Sequence, residues 1–228
     1  MNYVFIAAFA AFSAVHLYAS WRCDKVLRAV TKVFLLPTLL GWYLTTAQAP
    51  LDIVVAAVVT SWLGDVLLIF GPVGFAVGGT SFFLSHLCFA AAYCMHVDFT
   101  LVPVWVIVLA AIVYIAAVGF VFRGLVGNVK PRSLYVGMMG YLVVNGAMNC
   151  FALFQLITLP CLATAIMYAG AVSFFVSDSI LFYVRFRKGR PFKTHFGVML
   201  TYLLAEFLIV AGFILLLFTG AAFRSSNS

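Results

Sequence analysis

Two apolar stretches of the chain, SWLGDVLLIF at residues 61–70 and FFVSDSILF at residues 174–182, each contain a single aspartate. In both stretches a small residue precedes the aspartate, and mostly aliphatic residues and then an aromatic residue follow it. A carboxylate surrounded by hydrocarbon is costly, and membrane proteins usually keep such a group for a function. Asp65 and Asp178 therefore predict two membrane helices that bring acidic groups to one shared site.

The composition extends this prediction to the whole chain. Hydrophobic residues make up 66% of the 228 residues and charged residues only 8%, whereas soluble domains carry about a quarter charged residues. We expect an all-α, polytopic membrane protein that forms one domain, residues 1–228, with the first segment a spanning helix rather than a cleaved signal peptide. Eight transmembrane helices are predicted, at approximately 2–20, 27–47, 51–71, 75–96, 99–122, 133–156, 158–184 and 195–220.

The formal net charge of +7 comes largely from three basic clusters in predicted loops. The clusters are Arg22, Lys25 and Arg28; Arg123, Lys130 and Arg132; and Arg185, Arg187, Lys188, Arg190 and Lys193. With eight helices all three loops lie on one side, which the positive-inside rule places in the cytoplasm with both termini opposite. This explains the charge without a nucleic-acid partner, although the last cluster could also contact anionic lipid headgroups. We expect a multi-pass protein of the endoplasmic reticulum, if eukaryotic, or of a bacterial inner membrane.

Counting the helical rise predicts how deep the polar side chains lie. Lys32, Asp65 and Asp178 come out about 8–9 Å from the cytoplasmic helix ends, in one polar layer. His86, Asn145 and Glu206 come out deeper, at about 15–18 Å, and Asn149 is expected with them at or beyond the midplane. The offset that aligns Asp65 with Asp178 also aligns Lys32 with Asn145, so a parallel repeat of four plus four helices is a hypothesis.

Each of the three polar residues in the upper layer has two interpretations. Asp65 and Asp178 could simply neutralise a cation such as Lys32, or they could form an acid pair in which one carboxyl keeps a proton near neutral pH. Both interpretations can hold together. Lys32 itself could belong to the site or only extend its ammonium to the membrane surface. Pro37, five residues later, is expected to kink the second helix.

The deeper polar residues could either bind substrate or join helices. Asn145 and Asn149 are four residues apart, as are Tyr202 and Glu206, and such stripes commonly form interhelical hydrogen bonds. His86 could orient a water or a substrate hydroxyl. The sequence shows no nucleophile elbow, no phosphate-binding loop, no histidine spacing for zinc and no paired cysteines. We therefore predict no metal, no cofactor and no disulfide.

Taken together, these residues resemble the lysoplasmalogenase (YhhN-like) family of eight-helix membrane hydrolases. That family has Lys and Pro in helix two, Gly-Asp in helix three, Phe-x-x-x-His in helix four, Ser-Asp in helix seven and Thr-Tyr-x-x-Ala-Gln in helix eight. The corresponding residues here are Lys32 and Pro37, Gly64-Asp65, Phe82 to His86, Ser177-Asp178 and Thr201 to Glu206. Glu206 stands where the family usually has Gln.

The resemblance implies hydrolysis of the vinyl ether bond of a lysoplasmalogen within the bilayer, giving a fatty aldehyde and a glycerophospho-base. Asp65 and Asp178 would be catalytic, and six residues would contact substrate: Lys32, His86, Asn145, Asn149, Tyr202 and Glu206. The residues themselves leave two other classes open. Intramembrane acids in a repeated fold also occur in proton-coupled transporters, and in a membrane scaffold they would be inert ion pairs.

Overall fold

The computed structural model describes residues 2–187 and 195–225, and within these ranges it contains eight α-helices, two 3-10 helices and no strand. The α-helices are α1 (Asn2–Arg22), α2 (Lys25–Thr46), α3 (Asp52–Leu67), α4 (Gly71–Cys94), α5 (Val104–Arg123), α6 (Arg132–Thr158), α7 (Leu162–Phe186) and α8 (Phe196–Ser225). The predicted all-α class is confirmed.

Helix ends fall close to the predicted turns. Asp24 caps α2, because its Oδ1 accepts hydrogen bonds at 3.0 Å from two backbone N–H groups of the first turn. The largest difference at a helix start is at α5, which begins at Val104 and not near residue 99. The cause is local, since Asp98 caps a 3-10 helix at Phe99–Leu101 and Pro103 then precedes α5.

Helices α3 and α4 form a tight antiparallel hairpin. A 3-10 turn leads into Gly71, whose φ of 75° is a backbone conformation that favours glycine. Ser61 Oγ and Ser85 Oγ are hydrogen-bonded across the hairpin at 2.7 Å. A Cβ atom on Gly78 would lie 2.9 Å from the carbonyl oxygen of Gly64, so the two helices meet backbone to backbone.

The remaining helices pack around this hairpin. Helix α7 packs along α8, α1 along α2, and α4 against α6. One buried apolar cluster draws residues from α1 to α4 and from α6 to α8, with Leu35, Tyr93, Phe174 and Phe213 fully enclosed. Many large apolar side chains lie on the outer surface instead, as expected for a protein whose surface contacts lipid.

Seven stretches of the described residues are long and apolar enough to cross a membrane. One of them, Asp52–Cys94, has 43 residues and contains both α3 and α4. The multi-pass class is thus supported by length and composition, while the count of eight crossings stays a prediction because α3 alone has only 16 residues. The internal repeat and the orientation in the membrane also stay predictions.

Two of the three basic clusters and part of the third lie within the described residues. The first cluster lies where α1 ends at Arg22 and α2 begins with Lys25 and Arg28. The second lies where α5 ends at Arg123 and α6 begins at Arg132, with Lys130 in the connecting loop. Of the third cluster, Arg185 and Arg187 lie at the end of α7. Three members fall outside the described residues: Lys188, Arg190 and Lys193.

Candidate functional site

A cavity of about 480 Å³ collects the three polar residues of the predicted upper layer. Lys32 of α2, Asp65 of α3 and Asp178 of α7 all line it, and Tyr202 of α8 completes its wall. The sequence thus predicted correctly that these three side chains come together. Their roles in chemistry stay predictions.

Asp65 is held by two donors from different helices. Lys32 Nζ lies 2.9 Å from Asp65 Oδ1, and the Tyr202 hydroxyl donates to Oδ2 at 2.9 Å. The Asp65 side chain is 2% exposed and that of Lys32 is 14% exposed, so the ion pair is almost fully removed from solvent. Each oxygen of Asp65 therefore has a fixed partner, and one partner carries a full positive charge.

Asp178 is held differently, with its hydrogen bonds on one oxygen. Oδ2 accepts from the Tyr141 hydroxyl at 2.7 Å and from Asn145 Nδ2 at 2.8 Å. His86 Nε2 lies 3.2 Å from the same oxygen and 2.9 Å from the Tyr141 hydroxyl. Among the described residues no hydrogen bond reaches Oδ1, and Asp178 lines the cavity. Oδ1 is therefore the oxygen available to a ligand.

The tautomer of His86 follows from its surroundings. The ring is fully buried, and its Nδ1 has no hydrogen-bond partner within the described part of the chain. An unpaired buried N–H is more costly than an unpaired lone pair, so we assign the proton to Nε2. His86 thus donates from Nε2 towards Tyr141 and Asp178.

A directed chain of hydrogen bonds leads to Asp178 along α6. The Tyr114 hydroxyl donates to Asn149 Oδ1 at 3.1 Å, and Asn149 Nδ2 donates to Asn145 Oδ1 at 3.0 Å. With its oxygen occupied, Asn145 can present only its Nδ2 group to Asp178. The chain fixes both amide orientations and makes Asn145 an obligatory donor at the carboxyl.

The predicted separation into two polar layers is wrong for His86 and Asn145. Both were expected several ångströms deeper than Asp178, yet both lie within 3.2 Å of it. Counting residues along each helix locates only its backbone, so side chains that are assigned different depths can still meet across neighbouring helices. Asn149 has no direct contact with Asp178 in the described structure and is linked to it through Asn145.

Glu206 is buried on the far side of Tyr202. It is fully enclosed, with the hydroxyls of Ser61 and Tyr202 near its carboxyl, although neither oxygen has a well-aligned hydrogen bond within the described part of the chain. The neighbours that act on it electrostatically include Asp65 and Asp178. Tyr202, one turn earlier on α8, directs its hydroxyl to Asp65 instead. Glu206 therefore borders the site but does not line the cavity.

Gly64, which precedes Asp65, leaves room for an aromatic ring in the wall of the cavity. A Cβ atom on Gly64 would lie 2.6 Å from the ring of Phe82, so the ring occupies the space that any larger residue would fill. Phe82 in turn packs edge-on against Tyr202 and Phe174. The glycine before Asp65 thus allows an aromatic wall to close beside the carboxyl.

Cationic groups surround the open end of the cavity. Lys25 and Arg28 of α2 and Arg185 of α7 line it there. The start of α2 and the end of α7 therefore lie at one end of the bundle. The mouth is accordingly suited to an anion, since these cations exceed the two carboxylates of the cavity.

Sequence reasoning missed three side chains of the site. Tyr141 and Tyr114 were not predicted as functional, although Tyr141 shares a helical face with Asn145. His16 lines the cavity and is fully buried, with Nδ1 2.8 Å from the Thr31 hydroxyl and Nε2 unpartnered in the described structure. No spacing in the sequence connects α1 to this site, so no signal could have found His16.

Metal binding has no candidate ligand set in the described residues, where no three His, Cys, Asp or Glu side chains are suitably grouped. The predicted absence of metal and cofactor stays a prediction.

Comparisons with known proteins give one match. A family model described as the YhhN family matches residues 27–213, which is most of the chain and includes every side chain named in this description of the site except His16 and Lys25. In comparisons with curated proteins and with solved structures, no match was found.

Proposed function

The chain belongs to the YhhN family, which includes lysoplasmalogenases, and from this premise we propose that it hydrolyses the vinyl ether bond of lysoplasmalogens. The products would be a fatty aldehyde and a glycerophospho-base such as glycerophosphoethanolamine or glycerophosphocholine. The observation that carries the proposal is one cavity lined by two buried carboxyls with different partners.

Vinyl ether hydrolysis needs an acid, an anion and water. Protonation of the β-carbon gives an oxocarbenium ion, and water then adds to the neighbouring carbon. A carboxyl pair can supply both the proton and the stabilising negative charge, as it does in glycosidases. The two aspartates are suited to these roles because their environments differ.

We assign the acid role to Asp178 and the carboxylate role to Asp65. Lys32 at 2.9 Å supplies a full positive charge to Asp65, which favours its anionic form. Asp178 has no lysine or arginine within ion-pairing distance in the described structure, and its free Oδ1 can hold a proton towards the cavity. His86 and Asn145 hold the other oxygen in place.

Asp65 and Asp178 exchange protons with the substrate and water in four steps over one turnover. Asp178 gives its proton to the β-carbon, and Asp65 accepts one proton from the attacking water as the hemiacetal forms. The hemiacetal then breaks: Asp65 protonates the leaving glycerol oxygen, and the hydroxyl proton passes to Asp178 as the aldehyde forms. One water is consumed, and both carboxyls return to their starting states.

The cationic mouth supports a phospholipid substrate. A lysoplasmalogen carries a phosphodiester on the terminal glycerol carbon opposite the one that bears the vinyl ether. Arg28 and Arg185 are placed to bind this phosphate at the cavity rim. The remaining substrate contacts predicted from the sequence would be made around Asp178 by His86 and Asn145. Asn149, Tyr202 and Glu206 would then act by positioning these groups or Asp65.

The membrane arrangement that we propose has eight crossings, with the basic loops in the cytoplasm and both termini opposite. The α3–α4 hairpin supports it, because Gly71 reverses the chain between two helices that lie side by side. The pairing of α3 with α4 and of α7 with α8 also supports a four-plus-four repeat.

The test is aldehyde release by the purified protein from a lysoplasmenylethanolamine, with the saturated-ether analogue as substrate control. We expect aldehyde only from the vinyl ether. Asp65→Asn and Asp178→Asn should each lower kcat by about 10²–10⁴-fold, the usual contribution of a positioned acid or base. Asp52→Asn, an exposed carboxylate on the same helix as Asp65, is the matched control. A folded preparation that releases no aldehyde would refute the proposal and make proton-coupled flux in proteoliposomes the next measurement.

A further inference from the structure

A second cavity, larger and apolar, lies between α4 and α6. It encloses about 840 Å³, within the range of roughly 300–1,000 Å³ that is typical of ligand pockets. Its walls are almost wholly apolar, with Val77 and Phe83 from α4, Met138 from α6 and Leu181 from α7. We call this cavity the α4–α6 groove.

The groove shares its inner wall with the polar cavity. Leu68, Phe75, Phe82 and Leu181 line both. Tyr141 lines the groove while its hydroxyl donates to Asp178 at 2.7 Å. The groove therefore ends one side chain away from the carboxyl assigned as the acid.

The groove also reaches the lipid-facing surface. Val73 and Val77 line it and are 76% and 50% exposed on the outside of α4. In a membrane-spanning bundle this surface contacts hydrocarbon, so a lipid chain can enter sideways without crossing water.

We propose that the α4–α6 groove binds the hydrocarbon chain of the substrate and sets its chain-length preference. This inference rests on the proposed function. In a lysoplasmalogen the vinyl ether is the first bond of the chain beyond the glycerol oxygen, so it must lie where the polar and apolar parts of the site meet. Asp178 occupies that boundary, because it lines the polar cavity and contacts Tyr141 of the groove.

Arg185 fixes the direction in which the lipid lies. Its guanidinium lines the polar cavity and sits 4.2 Å above the ring of Phe75, a residue of the shared wall. A phosphate bound by Arg185 would therefore have its chain lead across Phe75 into the groove.

Two glycines allow the groove to be filled without disturbing the fold. Gly79 of α4 and Gly137 of α6 line it, and a Cβ atom at either position would meet nothing within 4 Å. Gly140, one turn after Gly137, has the same open surroundings but does not line the groove. Because leucine favours a helix more than glycine does, Gly→Leu at these positions should not impair folding.

The experiment compares kcat/KM for octadecenyl and octenyl lysoplasmalogens in Gly79→Leu, Gly137→Leu and the control Gly140→Leu. We expect the ratio of long-chain to short-chain kcat/KM to fall by about tenfold or more in the two groove variants, as when two or more methylenes are no longer buried. Gly140→Leu should keep the wild-type ratio. An unchanged ratio in both groove variants would overturn the inference.

A binding measurement separates this inference from the proposed reaction. Saturated-ether analogues of both lengths compete for the protein against a fluorescent lysophospholipid. Loss of the long-chain advantage in Gly137→Leu, but not in Gly140→Leu, would support the groove even if the wild type released no aldehyde. Equal competition profiles in all variants would refute it, whatever the aldehyde assay showed.

Discussion

Replacing Lys32 with methionine tests how much the buried ion pair with Asp65 contributes to the free energy of unfolding. Methionine keeps the length and apolar stem of lysine but removes the charge. Asp65, 2% exposed, would then keep only the hydrogen bond from Tyr202 at 2.9 Å. Breaking a buried pair by removing one partner costs about 3–5 kcal/mol, because the remaining charge is left uncompensated.

The expected destabilisation is at the lower end of that range, about 3 kcal/mol, since Lys32 is 14% exposed and Asp65 retains one donor. Adding Asp65→Asn to Lys32→Met should restore the free energy of unfolding to within about 1 kcal/mol of the wild type, because no buried charge then remains. The asparagine oxygen still accepts the hydrogen bond from Tyr202.

The free energy of unfolding is measured by chemical denaturation in detergent micelles, followed by circular dichroism. Lys25→Met is the matched control: its side chain is exposed, so a change below about 0.5 kcal/mol is expected. If Lys32→Met is no less stable than Lys25→Met, the reasoning fails. It also fails if the double variant is as unstable as the sum of the two single variants.

Three further substitutions test the surroundings of the carboxyls. Tyr141→Phe removes one of three hydrogen bonds to Asp178 and should lower kcat about tenfold with little change in folding; an unchanged kcat would show that this bond is dispensable. Glu206→Gln replaces a buried carboxyl that has no cationic partner among the described residues with its neutral isostere, so the thermal midpoint should stay equal or rise; a marked fall would mean that Glu206 is ionised and stabilised by its neighbours. Gly64→Ala pushes a methyl group into the Phe82 ring and should cost about 1–3 kcal/mol by denaturant unfolding; a neutral result would mean that the ring moves freely.

Much of the fold could be predicted because apolar segments and turn residues are local signals. Asp65, Asp178 and Lys32 stood out for the same reason, since an isolated charge in an apolar helix is visible without any tertiary information. The pairing of Lys32 with Asp65 rather than Asp178 could not be predicted, because it depends on which helices are neighbours.

Other parts of the site depend wholly on tertiary contacts. Tyrosine in a membrane helix is equally compatible with a surface position, so Tyr141 gave no distinct signal. Its contacts with His86 and Asp178 arise only when α4, α6 and α7 converge. The α4–α6 groove is likewise a property of the space between helices.

The hydrogen-bond chain on α6, in which each group donates towards Asp178, also blocks proton transfer. A carboxyl or hydroxyl can accept a proton and pass another on, but an amide donates without relaying. Asn145 and Asn149 therefore hold Tyr114 and Asp178 in fixed positions but do not pass a proton between them. In the mechanism proposed above, a proton on Asp178 would exchange with the open cavity but would not pass through the two amides to Tyr114.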